Sequence, residues 1–187
     1  MSSTGYGARW GGLALGDSAG AVVNLARTQV VESSPALTVS GFGEVLIDGV
    51  LVARSASDPL VVIESGSQAD IEVRNSRFQD SGNGCVAVYP SDGLLAFTNV
   101  TFANCDGPAV WAQQAPVDFT DLTVEDGVDQ ALDLTGVTGT VNGLDASAFN
   151  GTGAIVSLNN LRGSFSLTGL NGAVTGVGGI VGQDNLD

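Results

Sequence analysis

Apolar residues return along this chain at a nearly constant interval, in two series that keep phase over most of its length. In the first, alternating apolar pairs begin at Val23, Val45, Ile71, Leu95, Val117 and Phe165, with Gly139 standing in one place, at steps of 22, 26, 24, 22, 22 and 26 residues. In the second, Leu13, Leu37, Val61, Val86, Val110, Leu132, Ile155 and Ile180 are separated by 24, 24, 25, 24, 22, 23 and 25 residues. Self-similarity at such a period is the signature of a repeat architecture.

The local period inside each repeat is two, as in Val45/Ile47, Leu95/Phe97 and Val117/Phe119. Alternation at that period places one face of a strand in a core. No segment keeps helical spacing over three turns. Gly accounts for 27 of 187 residues, about double the usual share, which disfavours helices and supplies turns. Short strands in coils of 22–26 residues predict an all-β parallel solenoid of about seven to eight coils. Each coil cannot bury its inner face alone, so coils stack at about 4.8 Å into a rod of about 35 Å. The expected organisation is a lead-in over 1–12, the solenoid over 13–182 and a tail over 183–187.

Two successive coils carry Ile71-Glu72-Val73-Arg74-Asn75-Ser76-Arg77-Phe78 and Leu95-Ala96-Phe97-Thr98-Asn99-Val100-Thr101-Phe102. Asn75 and Asn99 share a coil position, Asp121 follows at the next, and Phe78 and Phe102 align. In these features the chain resembles the single-stranded, right-handed parallel β-helices of the pectate-lyase-like superfamily. Segments such as Phe102-Ala-Asn-Cys-Asp-Gly-Pro-Ala-Val look similar to repeats of bacterial surface β-helices. The resemblance implies an internal Asn ladder at Asn75, Asn99 and Asp121 and an aromatic stack of Phe78 on Phe102. It implies no single activity, because one fold hosts many functions.

Charge narrows the functional classes. Twenty acidic residues face six basic ones, all Arg, for a net charge of −14. So acidic a chain repels phosphate backbones and anionic lipid, which argues against nucleic acid and the membrane surface as partners. No stretch is long and apolar enough for a membrane helix, so membrane insertion is not expected. His and Lys are both absent, which removes the commonest general base and metal ligand. Gly16-Asp17-Ser18-Ala19-Gly20 matches the serine-hydrolase elbow in letters, but that chemistry needs a His and a strand-to-helix turn. It reads as a turn between coils. The pattern leans against catalysis.

Three features remain. Trp111 falls at an outward position aligned with Ala87 before it and Asp133 after it, where its ring either packs over its neighbours or, with Gln113 and Asp133, forms a candidate ligand site of a kind that suits a polysaccharide. The acidic run Asp118, Asp121, Glu125, Asp126, Asp129 and Asp133 reads as a solvated face that calcium could use; no other cofactor is indicated. Cys85 and Cys105 match no zinc pattern, and a bridge between them would have to span both a turn and a coil step.

The opening MSSTGYGARWGG lacks the regions of a signal peptide, yet the acidic, Lys-free composition resembles that of secreted proteins. The expectation is an extracellular or cell-surface protein whose leader is not part of this chain. Neither end shows a capping helix, and residues 135–182 hold only two charged side chains, Asp145 and Arg162. Uncapped strand edges invite pairing, so the expectation is either a segment of a longer protein or end-to-end self-association, in which coils of separate molecules stack. These features combine in a spacer, adhesin or fibre subunit, or alternatively a carbohydrate-binding or carbohydrate-processing solenoid.

Overall fold

A computed structural model describes residues 13–15, 22–33, 35–127, 129–148 and 154–172, and the backbone of 180–183. The lead-in with Trp10, the Gly16–Gly20 segment, Asn150 and the tail from 184 lie outside the described residues. The first coil consists of β1 (Leu13–Leu15), β2 (Val22–Ala26) and β3 (Gln29–Val31). The second holds β4 (Leu37–Val39), β5 (Glu44–Asp48) and β6 (Leu51–Ser55), and the third β7 (Val61–Ile63), β8 (Asp70–Arg74) and β9 (Arg77–Ser81). From the fourth coil on, the second and third strands run together. There β10 (Val86–Val88) leads to β11 (Leu95–Cys105), β12 (Val110–Gln113) to β13 (Pro116–Glu125) and β14 (Leu132–Thr135) to β15 (Thr138–Ala148). Then β16 (Val156–Asn159) leads to β17 (Phe165–Asn171), and β18 (Ile180–Gln183) is last.

Strand pairing is parallel throughout these sheets, each strand bonding its counterparts one coil away. One sheet orders as β1-β4-β7-β10-β12-β14-β16-β18; the other as β2-β5-β8-β11-β13-β15-β17, with β3, β6 and β9 continuing it beside β11. The molecule is an all-β parallel solenoid with three faces per coil and no helix among the described residues. It has about six turns, fewer than the expected seven to eight. Counting members of one apolar series counts strands, whereas a turn is the step from one coil to the next, and the seven coils from β1–β3 to β16–β17 are joined by six such steps.

The first apolar series is a single column: Val23, Val45, Ile71, Leu95, Val117, Gly139 and Phe165 are successive register partners. The second series holds from Leu13 to Leu132. It then shifts by one, because Leu132 pairs with Val156 and Val156 with Ile180, so Val156 and not Ile155 occupies the column. Ile155 and Val156 are both buried, and hydropathy alone does not choose between adjacent apolar residues.

The corner between the second and third faces explains the Asn positions. Asn75, Asn99 and Asp121 have φ of 48°, 54° and 53°, and Gly49 and Gly143 take φ of 64° and 75° at the equivalent places. Asn, Asp and Gly are the residues that enter this left-handed region at least cost. Asn99 Nδ2 donates to Asn75 Oδ1 at 2.9 Å, and Asn75 Nδ2 donates to Asp48 Oδ1 at 2.9 Å. These side chains are exposed on the outside of the bend, which corrects the expectation of an internal ladder. A left-handed residue at an outward corner turns its Cβ away from the lumen. The lumen is filled by the next residue in each coil, including Val50, Val100, Leu122 and Leu144. Ser76 also sits there, satisfied by donating to Arg74 O (2.7 Å) and accepting from Val50 N (3.1 Å). Burial therefore does not bar Asn99, which begins an Asn-Val-Thr sequon, from modification; its amide is engaged with Asn75.

Aromatic residues fill the middle of the core. Phe78 stacks on Phe102 with centroids 5.6 Å apart and planes at 18°, and Phe97 stacks on Phe119 at 5.0 Å and 14°. Phe97 and Phe102, at 5.9 Å, join the two stacks. Nearby, Cys85 and Cys105 form a disulfide with a Cα–Cα distance of 5.6 Å. Cys105 ends β11, and the turn after it brings Ala109 beneath Cys85, so the bridge crosses one coil step at this corner. It closes a sequence separation of 20 residues and is buried at both ends. Replacing both cysteines with Ser is expected to cost about 3 kcal/mol, because a loop of this length becomes free in the unfolded chain. Guanidinium unfolding with and without reductant measures the cost, and coincident midpoints would contradict it.

Candidate functional site

The outer surface of the β4-β7-β10-β12-β14 sheet is where the chain forms a groove, of about 730 Å³. Its floor is one outward row of register partners, Thr38, Val62, Ala87, Trp111 and Asp133. At about 4.8 Å per coil the row is roughly 19 Å long and runs along the solenoid axis. Turns containing Pro59, Gly84 and Pro108 form one wall, and Glu64 and Tyr89 the other. Such turns fall in the groove's wall for a simple reason: β4, β7, β10 and β12 are each entered through a Pro or Gly corner, at Pro35, Pro59, Gly84 and Pro108.

Trp111 is half-buried. Its indole meets the Tyr89 ring edge-to-face, with centroids 5.2 Å apart and planes at 81°, an attractive arrangement for two aromatic quadrupoles. Tyr89 is 43% exposed and so presents its ring and hydroxyl to the groove. Asp133 lies one strand beyond Trp111 in register. Burial pushes the Asp133 carboxyl above its ordinary value of 3.8; a hydrogen bond from Ser157 works against this, and neighbouring Asp129 adds to it.

That shift has a sign that can be tested. The folded state holds the Asp133 proton at pH values where the unfolded chain has released it, so stability declines as pH rises from about 3.8 through the higher folded value. At neutral pH the ionised group is a net cost. Asp133→Asn is expected to raise the thermal midpoint slightly at pH 7, by a fraction of a kcal/mol given the partial exposure, and to leave it unchanged near pH 3. A lower midpoint at pH 7 would show that the charge is stabilising.

Of the residues singled out in the sequence, Trp111 and Asp133 come together in the groove, while Gln113 does not line it. Gln113 is two residues along β12 and pairs with Thr135 instead. Tyr89, Glu64, Asp58 and Thr38 are the groove residues that sequence reasoning missed. Their signal was present in the coil alignment, since Thr38 occupies the same column as Trp111, but depth and walls are not visible in a column.

The acidic run disperses over several faces. Asp118 points outward from β13 and accepts a hydrogen bond from Thr140 Oγ1 at 2.5 Å, Asp121 sits at a corner, and only Asp133 enters the groove. Glu125 Oε2 is 3.0 Å from an Nη atom of Arg77. The two residues are 48 apart in sequence but lie two coils apart in space. Among the described residues, no group of three or more His, Cys, Asp or Glu gathers as a metal centre. Comparison with protein-family models, curated proteins and solved structures finds no match to this chain.

Proposed function

We propose that this chain is an extracytoplasmic β-solenoid, of the pectate-lyase-like kind, that acts as an adhesin-like scaffold and holds a polysaccharide in its groove without cleaving it. The observation that carries this reading is the Tyr89–Trp111 pair lying in an open groove beside a half-buried carboxylate. Sugar rings present an apolar face to an aromatic ring and hydroxyls to acceptors around it, and this groove offers both. A groove directed along the solenoid axis suits a linear polymer better than a compact metabolite. The absence of His and Lys leaves the carboxylates Asp58, Glu64 and Asp133 as the groove's candidate acid–base groups, and an assay for released reducing ends separates binding from hydrolysis. A buried disulfide is typical of proteins that mature in oxidising compartments, in keeping with secretion or surface display.

Intrinsic fluorescence tests this reading. With Trp10→Phe as background, Trp111 reports alone, and titration with neutral, acidic and amine-bearing polysaccharides, with and without calcium, is expected to shift its emission for at least one glycan. Trp111→Ala is expected to weaken that binding roughly tenfold, measured by calorimetry, with the circular dichroism spectrum unchanged. A Trp111→Ala protein that binds as the parent does, or a panel in which no glycan perturbs Trp111, overturns the proposal.

A further inference from the structure

The walls and floor of the groove hold three carboxylates, Asp58, Glu64 and Asp133, and no Arg. Lys and His are absent from the whole chain. Any ligand entering therefore meets a field of one sign. Such a field rejects uronic and sulfated polymers and favours positive charge.

The placement of Asp133 sharpens this. It is the register neighbour of Trp111, so a carboxylate stands one coil step from the indole. A cation seated there gains attraction from the aromatic face and from the carboxylate together. The charged neighbour that bears on Asp133 is Asp129, which opposes its ionisation. A carboxylate that is half-buried, beside another acid and on the floor of a groove gains from a positive ligand what the protein itself does not supply. We propose that the groove selects glycans whose sugar rings carry free amines, such as de-N-acetylated hexosamine oligomers, with an ammonium held between Trp111 and Asp133. This specificity rests on the glycan-binding reading above and adds a ligand class to it.

The test uses the intact protein and a tetrameric β-linked hexosamine in two forms, fully N-acetylated and fully free-amine, measured by calorimetry. At about 20 mM salt the free-amine tetramer is expected to bind at least roughly tenfold more tightly, and at about 0.5 M salt much of that preference is lost. Asp133→Asn is expected to collapse the ratio towards one, whereas Trp111→Ala weakens both forms. Asp118→Asn removes one charge from a different face and is expected to leave the ratio unchanged; if it lowers the ratio as Asp133→Asn does, the preference belongs to the diffuse charge of −14 and the inference falls. Equal affinity for the two tetramers overturns the amine specificity and leaves glycan binding standing. A linear polyamine that binds as tightly as the free-amine tetramer shows a cation site indifferent to sugar and overturns both, as does binding of neither tetramer together with a fluorescence panel in which no glycan responds.

Discussion

Gly139→Val is expected to destabilise the protein by several kcal/mol, although it restores the apolar pattern of the repeat. The same column holds Val45, Ile71, Leu95 and Val117, so a comparison of coils recommends an apolar side chain there. Gly139 has φ of 118°, and a Cβ on it would stand 1.8 Å from the carbonyl oxygen of Val117. Val cannot enter that region without strain of about 1–3 kcal/mol, and relieving the clash requires β15 to move off β13, with overpacking costs of about 1–3 kcal/mol more. The two strands pair from Pro116↔Thr138 onwards, so the displacement reaches the centre of the solenoid. Gly66→Ala is the control: φ is 79° there, but nothing lies within 4 Å of the added Cβ. It is expected to cost only about 1 kcal/mol, from backbone strain alone. Urea unfolding of the two variants separates strain from collision, and a Gly139→Val protein as stable as Gly66→Ala would refute the collision.

Phe102→Ala is expected to cost about 3–5 kcal/mol, the range for removing a fully buried aromatic side chain. Phe102 is fully buried and touches both Phe78 and Phe97, so its ring joins stacks that span three successive coils, with Phe78 in β9, Phe97 and Phe102 in β11 and Phe119 in β13. Solenoid stability is dominated by contacts between neighbouring coils. The cavity therefore weakens cohesion on both sides of β11, and the unfolding transition is expected to move to lower denaturant and to broaden. Phe42, which is 52% exposed, supplies the comparison, with Phe42→Ala expected to change stability by no more than about 0.5 kcal/mol. A Phe102→Ala midpoint indistinguishable from that of Phe42→Ala would show that the stack contributes little.

The two variants also mark how far the repeat could be read from the chain. Phe78 and Phe102 fall one period apart and meet in space because stacked coils bring equal positions into contact. Ala87, Trp111 and Asp133 align for the same reason, which is why half of the candidate site was legible. Gly139 shows the opposite case. A gap in an apolar column can mean a missing side chain or a place where none fits, and only the distance to Val117 O separates them.

What the sequence by itself determined is the architecture: strands in place of helices, parallel stacking, the core columns and the outward place of Trp111. Period two within a coil and a near-constant period between coils admit almost no other way to bury the same residues. Only the tertiary structure decided the Asn corner's outward turn, the Tyr89–Trp111 contact, the Arg77–Glu125 pair and the Cys85–Cys105 bridge. Each depends on the angle at a corner or on the stagger between coils. The repeat aligns equal positions along the solenoid axis, but it gives neither the direction a corner side chain takes nor the contacts between unequal positions of different coils.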